Sequence, residues 1–176
     1  MKLRFVRRPV LTLAALLTAS SAWSQVSEMD FLVAGRAIGF IDSLPAGQLN
    51  VGIVYLPGNA QSEQQAHELA ALMGDGRRVG NYVLKPVPLP VDKLGNGSIG
   101  LLFLTQGVGT AAAKVASASR GRKIPCITYD IAQVRAGNCT IAVRTEPRIE
   151  VLVNRTSADA CGAEFAAVFR MMITEI

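Results

Sequence analysis

Hydrophobic and polar positions follow two periods along this chain, one typical of helices and the other typical of strands. Apolar residues recur at near-helical spacing from Ser27 to Asp42, which predicts an amphipathic helix ended by Ser43-Leu44-Pro45. Compact apolar runs at 49–56 and 99–105 are bounded by turn residues. Such runs are typical of strands that are buried on both faces.

Helical patterns follow both of these strands. Residues 61–73 are polar at their start and then periodic in leucine and methionine, and residues 110–120 are rich in alanine. Residues 79–87 and 124–130 predict two further strands. Strands that alternate with helices favour a mostly parallel sheet covered on both faces.

The pattern changes near the C-terminus. Residues 140–144 and 149–154 predict two strands joined by Thr145-Glu146-Pro147-Arg148, a hairpin by its length and its turn residues. A helix of about five turns, capped by Thr156 or Ser157, is expected to close the chain. One face of this helix would carry Phe165, Val168, Phe169, Met172 and Ile176. The predicted fold is α/β: a single domain with a mixed, mostly parallel sheet flanked by helices, a C-terminal β-hairpin and a terminal helix.

The first 24 residues have the pattern of a secretory signal peptide. A basic head precedes the short apolar run Val10 to Leu17, and Ala22-Trp23-Ser24 follows as a small-residue exit before Gln25. The apolar run is too short to span a bilayer, which takes roughly 20 residues. We therefore expect residues 25–176 to form one exported domain that does not span the membrane.

The charge balance excludes one class of function. The signal peptide holds four of the 18 Lys and Arg and none of the 13 Asp and Glu, which leaves 14 basic against 13 acidic side chains. The tight basic cluster Arg120, Arg122 and Lys123 is interpreted as a solvated helix end. A nucleic-acid-binding domain normally has a dense basic stripe, so we expect no nucleic-acid partner.

Candidate catalytic residues are sparse. Gly107-x-Gly109-x-x-Ala112 follows a predicted strand and opens a helix, and Asp130 ends the next strand, as in a dinucleotide-binding fingerprint. Glycines in a short turn have a simpler conformational explanation. The single histidine, His67, lies in a polar helical segment that is expected to be exposed. We therefore expect no enzyme and no catalytic, cofactor-binding or metal-binding residues.

The three cysteines, Cys126, Cys139 and Cys161, all lie after the signal peptide. This distribution agrees with an oxidising compartment, one disulfide and one remaining thiol. The remaining thiol would stay free or pair across a homodimer. The wide spacings do not suit a zinc site.

The C-terminal block has a distinctive order of short segments, namely Ile127-Thr128-Tyr129-Asp130, Gly137, Thr140 to Val143, Glu150-Val151-Leu152-Val153-Asn154 and Ala158. In the order of its elements, and above all in this block, the chain resembles the YfiR/HmsC family of bacterial periplasmic proteins. The resemblance implies a regulatory binding protein in the periplasm. Its partner would be the periplasmic domain of an inner-membrane signalling protein, a diguanylate cyclase, which would link the protein to cyclic-di-GMP signalling and biofilm formation.

The resemblance also bears on the disulfide. Cys139 stands where the family often carries one half of a bridge, but the usual partner position upstream is occupied by Gln133 and Val134. We favour a bridge between Cys139 and Cys161, because the hairpin brings the first near the start of the last helix. The alternative is a bridge between Cys126 and Cys139.

Two binding functions follow as hypotheses. A regulator would bind its partner through an apolar surface, to which Phe31, Ile38 and Phe40 of the first helix are the candidate contributors. The alternative is a single-lobe periplasmic small-molecule-binding module, since Val51 to Ser62 resembles the opening of one lobe of periplasmic solute-binding proteins.

Overall fold

The computed structural model describes residues 26–95 and 97–176. The predicted signal peptide, residues 1–24, lies outside these ranges. No helix within them has both the length and the apolar character that crossing a membrane requires.

The described residues form one sheet of eight strands in the order β2-β3-β1-β4-β5-β6-β7-β8. The five inner strands are parallel, while β2 and β7 run antiparallel to their inner neighbours. This arrangement confirms the predicted α/β fold with a mixed, mostly parallel sheet. The strands are β1 Gly47–Tyr55, β2 Arg77–Val79, β3 Tyr82–Pro90, β4 Leu101–Leu104, β5 Cys126–Thr128, β6 Ile141–Arg144, β7 Glu150–Val153 and β8 Thr174–Glu175.

Helices cover both faces of the sheet, as predicted. Alternate residues of each strand point to opposite faces, so Leu101 and Phe103 of β4 enter one core while Leu102 and Leu104 enter the other. The first core packs under α1, α2 and the C-terminal segment, and the second packs under α3 and α4. The helices are α1 Glu28–Gly39, α2 Ala60–Met73, α3 Ala112–Arg122, α4 Ile131–Arg135, α5 Arg155–Cys161 and α6 Ala167–Arg170.

The prolines of β3 do not interrupt the sheet. Pro86, Pro88 and Pro90 lie opposite residues of β1, whereas β2 reaches only as far as Leu84 of β3. Beyond Leu84, the outer side of β3 is therefore an edge among the described strands. A residue without an N–H group is tolerated there, because the missing donor has no ladder partner.

The predicted hairpin of β6 and β7 is confirmed by their antiparallel register, but the predicted five-turn terminal helix is wrong. Helix α5 ends at Gly162, which has the left-handed backbone (φ 68°, ψ 30°) that commonly stops helices. Its cap is Asn154, whose side chain accepts from the Ser157 amide at 2.8 Å. The chain then forms the short α6 and the strand β8, so the residues expected on one helical face are divided between core and surface.

Candidate functional site

The parallel strands place several polar side chains at one edge of the sheet. Strands β1, β4, β5 and β6 all end at this carboxyl edge. After β1 the chain adds β3 on one side of it and then β4 on the other, so the direction in which strands are added to the sheet reverses between β1 and β4. Ligands in open α/β sheets bind outside the carboxyl ends of the strands near such a reversal. This edge is therefore the first place to look for a site.

The crevice between β1 and β4 is filled by a buried hydrogen-bond network. The hydroxyls of Ser62 and Thr105 lie 2.6 Å apart, and Thr105 also donates to the Val54 carbonyl at 2.8 Å. Gln65 accepts from the Gln106 backbone amide at 2.6 Å. These bonds join α2 to the end of β4, so the open space lies further along the edge, beside β5 and β6.

That space is a cavity of about 310 Å³, which we call the polar cavity. Its roof is the beginning of α1, and its other walls come from α2 and from the ends of β4, β5 and β6. The cavity brings together side chains that are far apart in the sequence. Its lining residues are Val26, Ser27, Asp30, Gln65, Gln106, Tyr129, Val143, Arg144, Thr145 and Glu146.

Asp30 connects the roof to the wall. Ser27 is the N-cap of α1, and its amide and hydroxyl donate to Asp30 Oδ2 at 2.9 and 2.8 Å in a capping box. The Thr145 hydroxyl donates to Asp30 Oδ1. Burial by itself would raise the pKa of the Asp30 carboxyl, but these hydrogen bonds outweigh it and lower that pKa below its usual value. Asp30 is therefore ionised at neutral pH.

Tyr129 contributes a hydroxyl without a partner. Its ring packs against Phe103 with the centroids 5.0 Å apart, while its buried hydroxyl oxygen makes no hydrogen bond within the described residues. Burial, with a smaller effect from the charge of Asp30, strongly raises the pKa of this phenol. The hydroxyl stays protonated and can both donate and accept.

The charged side chains leave the polar cavity acidic. Arg144 is ion-paired with Glu150 on the neighbouring strand, so its charge is largely compensated. Asp30 and Glu146 then remain as the carboxylates on the lining. The cavity suits a ligand that brings positive charge and hydrogen-bond donors.

The residues of the glycine fingerprint have structural roles. Gly107 has a φ of 78°, and a side chain there would meet Asn59 Oδ1 at 2.7 Å. Asp130 is the N-cap of α4 and accepts from the Ala132 amide at 2.9 Å. His67 is exposed on α2. Within residues 26–95 and 97–176, no three His, Cys, Asp or Glu side chains gather as metal ligands would.

A second depression, which we call the apolar groove, runs along another side of α1. It has a volume of about 650 Å³ and is bounded by α1, β2, β7 and the C-terminal segment. At its floor the rings of Phe40 and Phe169 stack with their centroids 4.9 Å apart. It is lined by Val33, Gly35, Arg36, Ala37, Gly39, Phe40, Val79, Gly80, Ile149, Val151, Phe169, Met172 and Ile173.

Of the three residues predicted to contact a partner, only one lines the apolar groove. Phe31 is 2% exposed and Ile38 is 1% exposed, because both lie on the face of α1 that packs on the sheet. They belong to the core, which corrects the expectation that they form a surface. Phe40 follows the last turn of α1 and lines the groove, so its role in partner binding stays a prediction.

The disulfide also differs from the bridge we favoured. Cys126 is bonded to Cys139, the alternative pairing, and Cys161 is a free, buried thiol. The reason is geometric: Cys126 begins β5, Cys139 lies two residues before the neighbouring strand β6, and both belong to the second core, whereas Cys161 lies in the first core across the sheet. Burial raises the pKa of the Cys161 thiol, so it is not activated as a thiolate.

Sequence reasoning missed the polar cavity. The capping-box pattern Ser27-x-x-Asp30 was a readable signal for this end of α1. Nothing local connects Asp30 with Thr145, which lies 115 residues away in the chain. Tyr129 lies next to the end of the strand predicted at 124–130, and the convergence of parallel strand ends is the signal that could have identified it.

Comparisons with known proteins give a likeness of fold. No family model matches the chain, and no curated protein matches it. Among solved structures it is similar to the ligand-free, open structure of a substrate binding protein with adhesive properties from Clostridium difficile, with a TM-score of 0.51 and 16% identity. The match covers 73% of this chain and 54% of that protein, so the chain spans about half of its length. At this identity the likeness supports the α/β fold alone.

Proposed function

We propose that the protein is a periplasmic regulatory binding protein that restrains a membrane-bound signalling protein, a diguanylate cyclase, by binding its periplasmic domain. The observation that carries the proposal is the apolar groove. Contiguous apolar surface rimmed by polar residues is typical of protein-binding sites. The resemblance to the YfiR/HmsC family supplies the kind of partner.

The groove exposes side chains that a folded domain would otherwise bury. Ile149 is 62% exposed and Met172 is 61% exposed, and both border the stacked rings of Phe40 and Phe169. A flexible methionine at the rim can adapt to the shape of a partner. Burial of these side chains would supply a favourable free energy of association.

One charge on the groove indicates what the occupant must carry. Arg36 lines the groove, is exposed and takes part in no ion pair among the described residues. We therefore infer that the occupant is an apolar segment of the partner's periplasmic domain with an acidic side chain that meets Arg36. Such complementarity contributes mainly to the specificity and rate of association.

Export supports the same function. The predicted signal peptide would bring the mature chain to the periplasm, where a membrane protein exposes its outer domain. The disulfide between Cys126 and Cys139 suits an oxidising compartment. A regulator needs no catalytic residues, and its action rests on the surface it presents.

The test is a pull-down of the mature, oxidised protein from envelope extract of the bacterium that makes it, followed by mass spectrometry. The wild type is compared with Arg36→Glu and with Arg78→Glu, an exposed arginine of β2 that does not line the groove. A membrane cyclase retained by the wild type and by R78E, but lost with R36E, would support the proposal. The proposal would be contradicted if R36E retained the cyclase as well as the wild type does, or if no membrane signalling protein were recovered.

The alternative function, a single-lobe small-molecule-binding module, is favoured by one specific observation. The polar cavity lies at the carboxyl edge of the parallel strands and holds an unpartnered tyrosine hydroxyl. The likeness to a substrate binding protein agrees with this function at the level of fold. Capture of a small molecule together with an empty pull-down would favour this alternative.

A further inference from the structure

We infer that the polar cavity is a binding site for a small protonated amine. The inference rests on the acceptor positions, the charge and the size of the cavity, and not on the groove or its partner. It therefore stands whether or not the proposed regulator function holds.

The first argument is the unused acceptor capacity of Asp30. A carboxylate has about four acceptor positions, two on each oxygen. Oδ2 accepts from the amide and the hydroxyl of Ser27, while Oδ1 accepts from Thr145 alone. One position on Oδ1 is thus left for a further donor, and the charge of Asp30 favours a cationic one.

The second argument is the hydroxyl of Tyr129. Buried polar groups in folded proteins nearly always have a hydrogen-bond partner, so an unpartnered one calls for an explanation. Tyr129 lines the same cavity as Asp30, and its buried oxygen has no partner in the described chain. An ammonium group carries three donors and no acceptor, so it can donate to both Asp30 and Tyr129.

The third argument is the charge balance. Arg144, the one basic side chain on the lining, is paired with Glu150. Glu146 adds a second carboxylate to Asp30, at the exposed end of the cavity. An anionic ligand would therefore meet net repulsion, and a neutral ligand would gain only weaker hydrogen bonds.

The size of the site limits the ligand. A cavity of about 310 Å³ lies at the lower end of the range for small-molecule sites. It suits a compact aliphatic amine. A diamine could place one ammonium at Asp30 and the other near Glu146.

The experiment compares three probes that have the same number of carbon atoms and differ in their end groups: putrescine, 1,4-butanediol and succinate. Their affinities for the full mature chain are measured by calorimetry at low ionic strength. We expect putrescine to bind, butanediol to bind at least about tenfold more weakly because charge-assisted hydrogen bonds are lost, and succinate not to bind. Equal binding of the three probes, or no binding of putrescine, would overturn the inference.

Two variants locate the site. Tyr129→Phe deletes the hydroxyl and keeps the ring, and we expect it to weaken putrescine about tenfold. Tyr55→Phe is the matched control, because Tyr55 ends β1 and does not line the cavity. It should leave the affinity unchanged. If Y129F binds as well as the wild type, putrescine occupies another place and the inference fails.

Chemical shifts near Asp30 give a second readout of putrescine binding, independent of the measured affinities. Chemical shifts of the backbone amides of Ser27 and Asp30 should move when putrescine is added. The Ser27 amide donates to the Asp30 carboxylate, and the Asp30 amide donates to the Ser27 hydroxyl, which itself donates to that carboxylate. Asp30→Asn keeps the shape but removes the charge, so it should lower the affinity while the chain stays folded. Shifts confined to residues outside the cavity lining would contradict the assignment.

Discussion

The polar cavity and the apolar groove border the same helix, α1, yet different forces hold their walls together. The cavity wall depends on hydrogen bonds between Ser27, Asp30 and Thr145. The groove floor depends on the packing of Phe40 against Phe169. Substitutions on the two sides should therefore change the free energy of unfolding by different amounts, and these changes should respond differently to pH. The predictions below test that contrast.

The largest effect is expected on the floor of the groove. Phe169 is 3% exposed and contacts Phe40 and Phe165, so Phe169→Ala leaves a cavity. We expect a loss of about 3–5 kcal/mol in the free energy of unfolding, measured by urea denaturation. Val168→Ala, at a neighbouring position that is half exposed, should change it by about 0.5 kcal/mol or less. Similar losses in both variants would show that α6 does not pack as described.

A smaller, pH-dependent effect is expected on the cavity side. Asp30→Ala removes half of the capping box and the bond from Thr145, which should cost about 1 kcal/mol at neutral pH. The pKa of Asp30 is lowered in the folded protein, so its contribution is full above the usual value of 3.8 and is lost as the pH falls through the folded value. Urea denaturation at several pH values checks this.

The matched variant for this prediction is Asp30→Asn. It keeps the shape of the side chain and removes the ionisation. The difference in the free energy of unfolding between this variant and the wild type should therefore also shrink in acid. A difference in the free energy of unfolding that stays constant from neutral pH to below the lowered pKa of Asp30 in the folded protein would show that the charge of Asp30 does not stabilise the fold.

Two tyrosines allow a buried hydroxyl that has a hydrogen-bond partner to be compared with one that has none. The Tyr82 hydroxyl donates to the Ile41 carbonyl at 2.9 Å, so Tyr82→Phe should cost about 1 kcal/mol in the free energy of unfolding. Tyr129→Phe removes an unpartnered buried hydroxyl and should leave the stability of the ligand-free protein unchanged or slightly increased. Thermal unfolding of both variants gives the comparison. A clear loss in Y129F would mean that the hydroxyl has a partner.

The smallest effect on stability is expected at the rim of the groove. Met172 is largely exposed, so Met172→Ser should change the free energy of unfolding by about 0.5 kcal/mol or less. Under the proposed function, the same variant should retain less of the partner in the pull-down. Unchanged retention would restrict the binding surface to the part of the groove near Arg36 and Phe40.

The parallel part of the fold could be predicted because its signals are local. The buried runs at β1 and β4 are apolar and bounded by turns, and apolar residues recur at helical spacing along α1. The hairpin of β6 and β7 was predicted from its turn residues. In each case the burial pattern and the backbone preference of the same few residues agree.

The C-terminal segment and the sites could not be predicted because they depend on distant contacts. Helical spacing continues past Gly162, but the left-handed backbone at that residue ends α5. The disulfide pairing depends on which face of the sheet each cysteine occupies. In a strand, a shift of one residue moves a side chain to the other face, so the sequence alone does not determine the pairing. Asp30 and Tyr129 line one cavity only because the start of α1 lies over the ends of strands from the other half of the chain.

The position of α1 between the two depressions has a thermodynamic consequence. Val26, Ser27 and Asp30, at or just before its start, line the cavity, while Arg36 and Phe40, at its end, line the groove. A single helix thus forms a wall of both. If an occupant of the cavity changes the affinity of the groove by some factor, an occupant of the groove must change the affinity of the cavity by the same factor. A titration of either site would then report on the other.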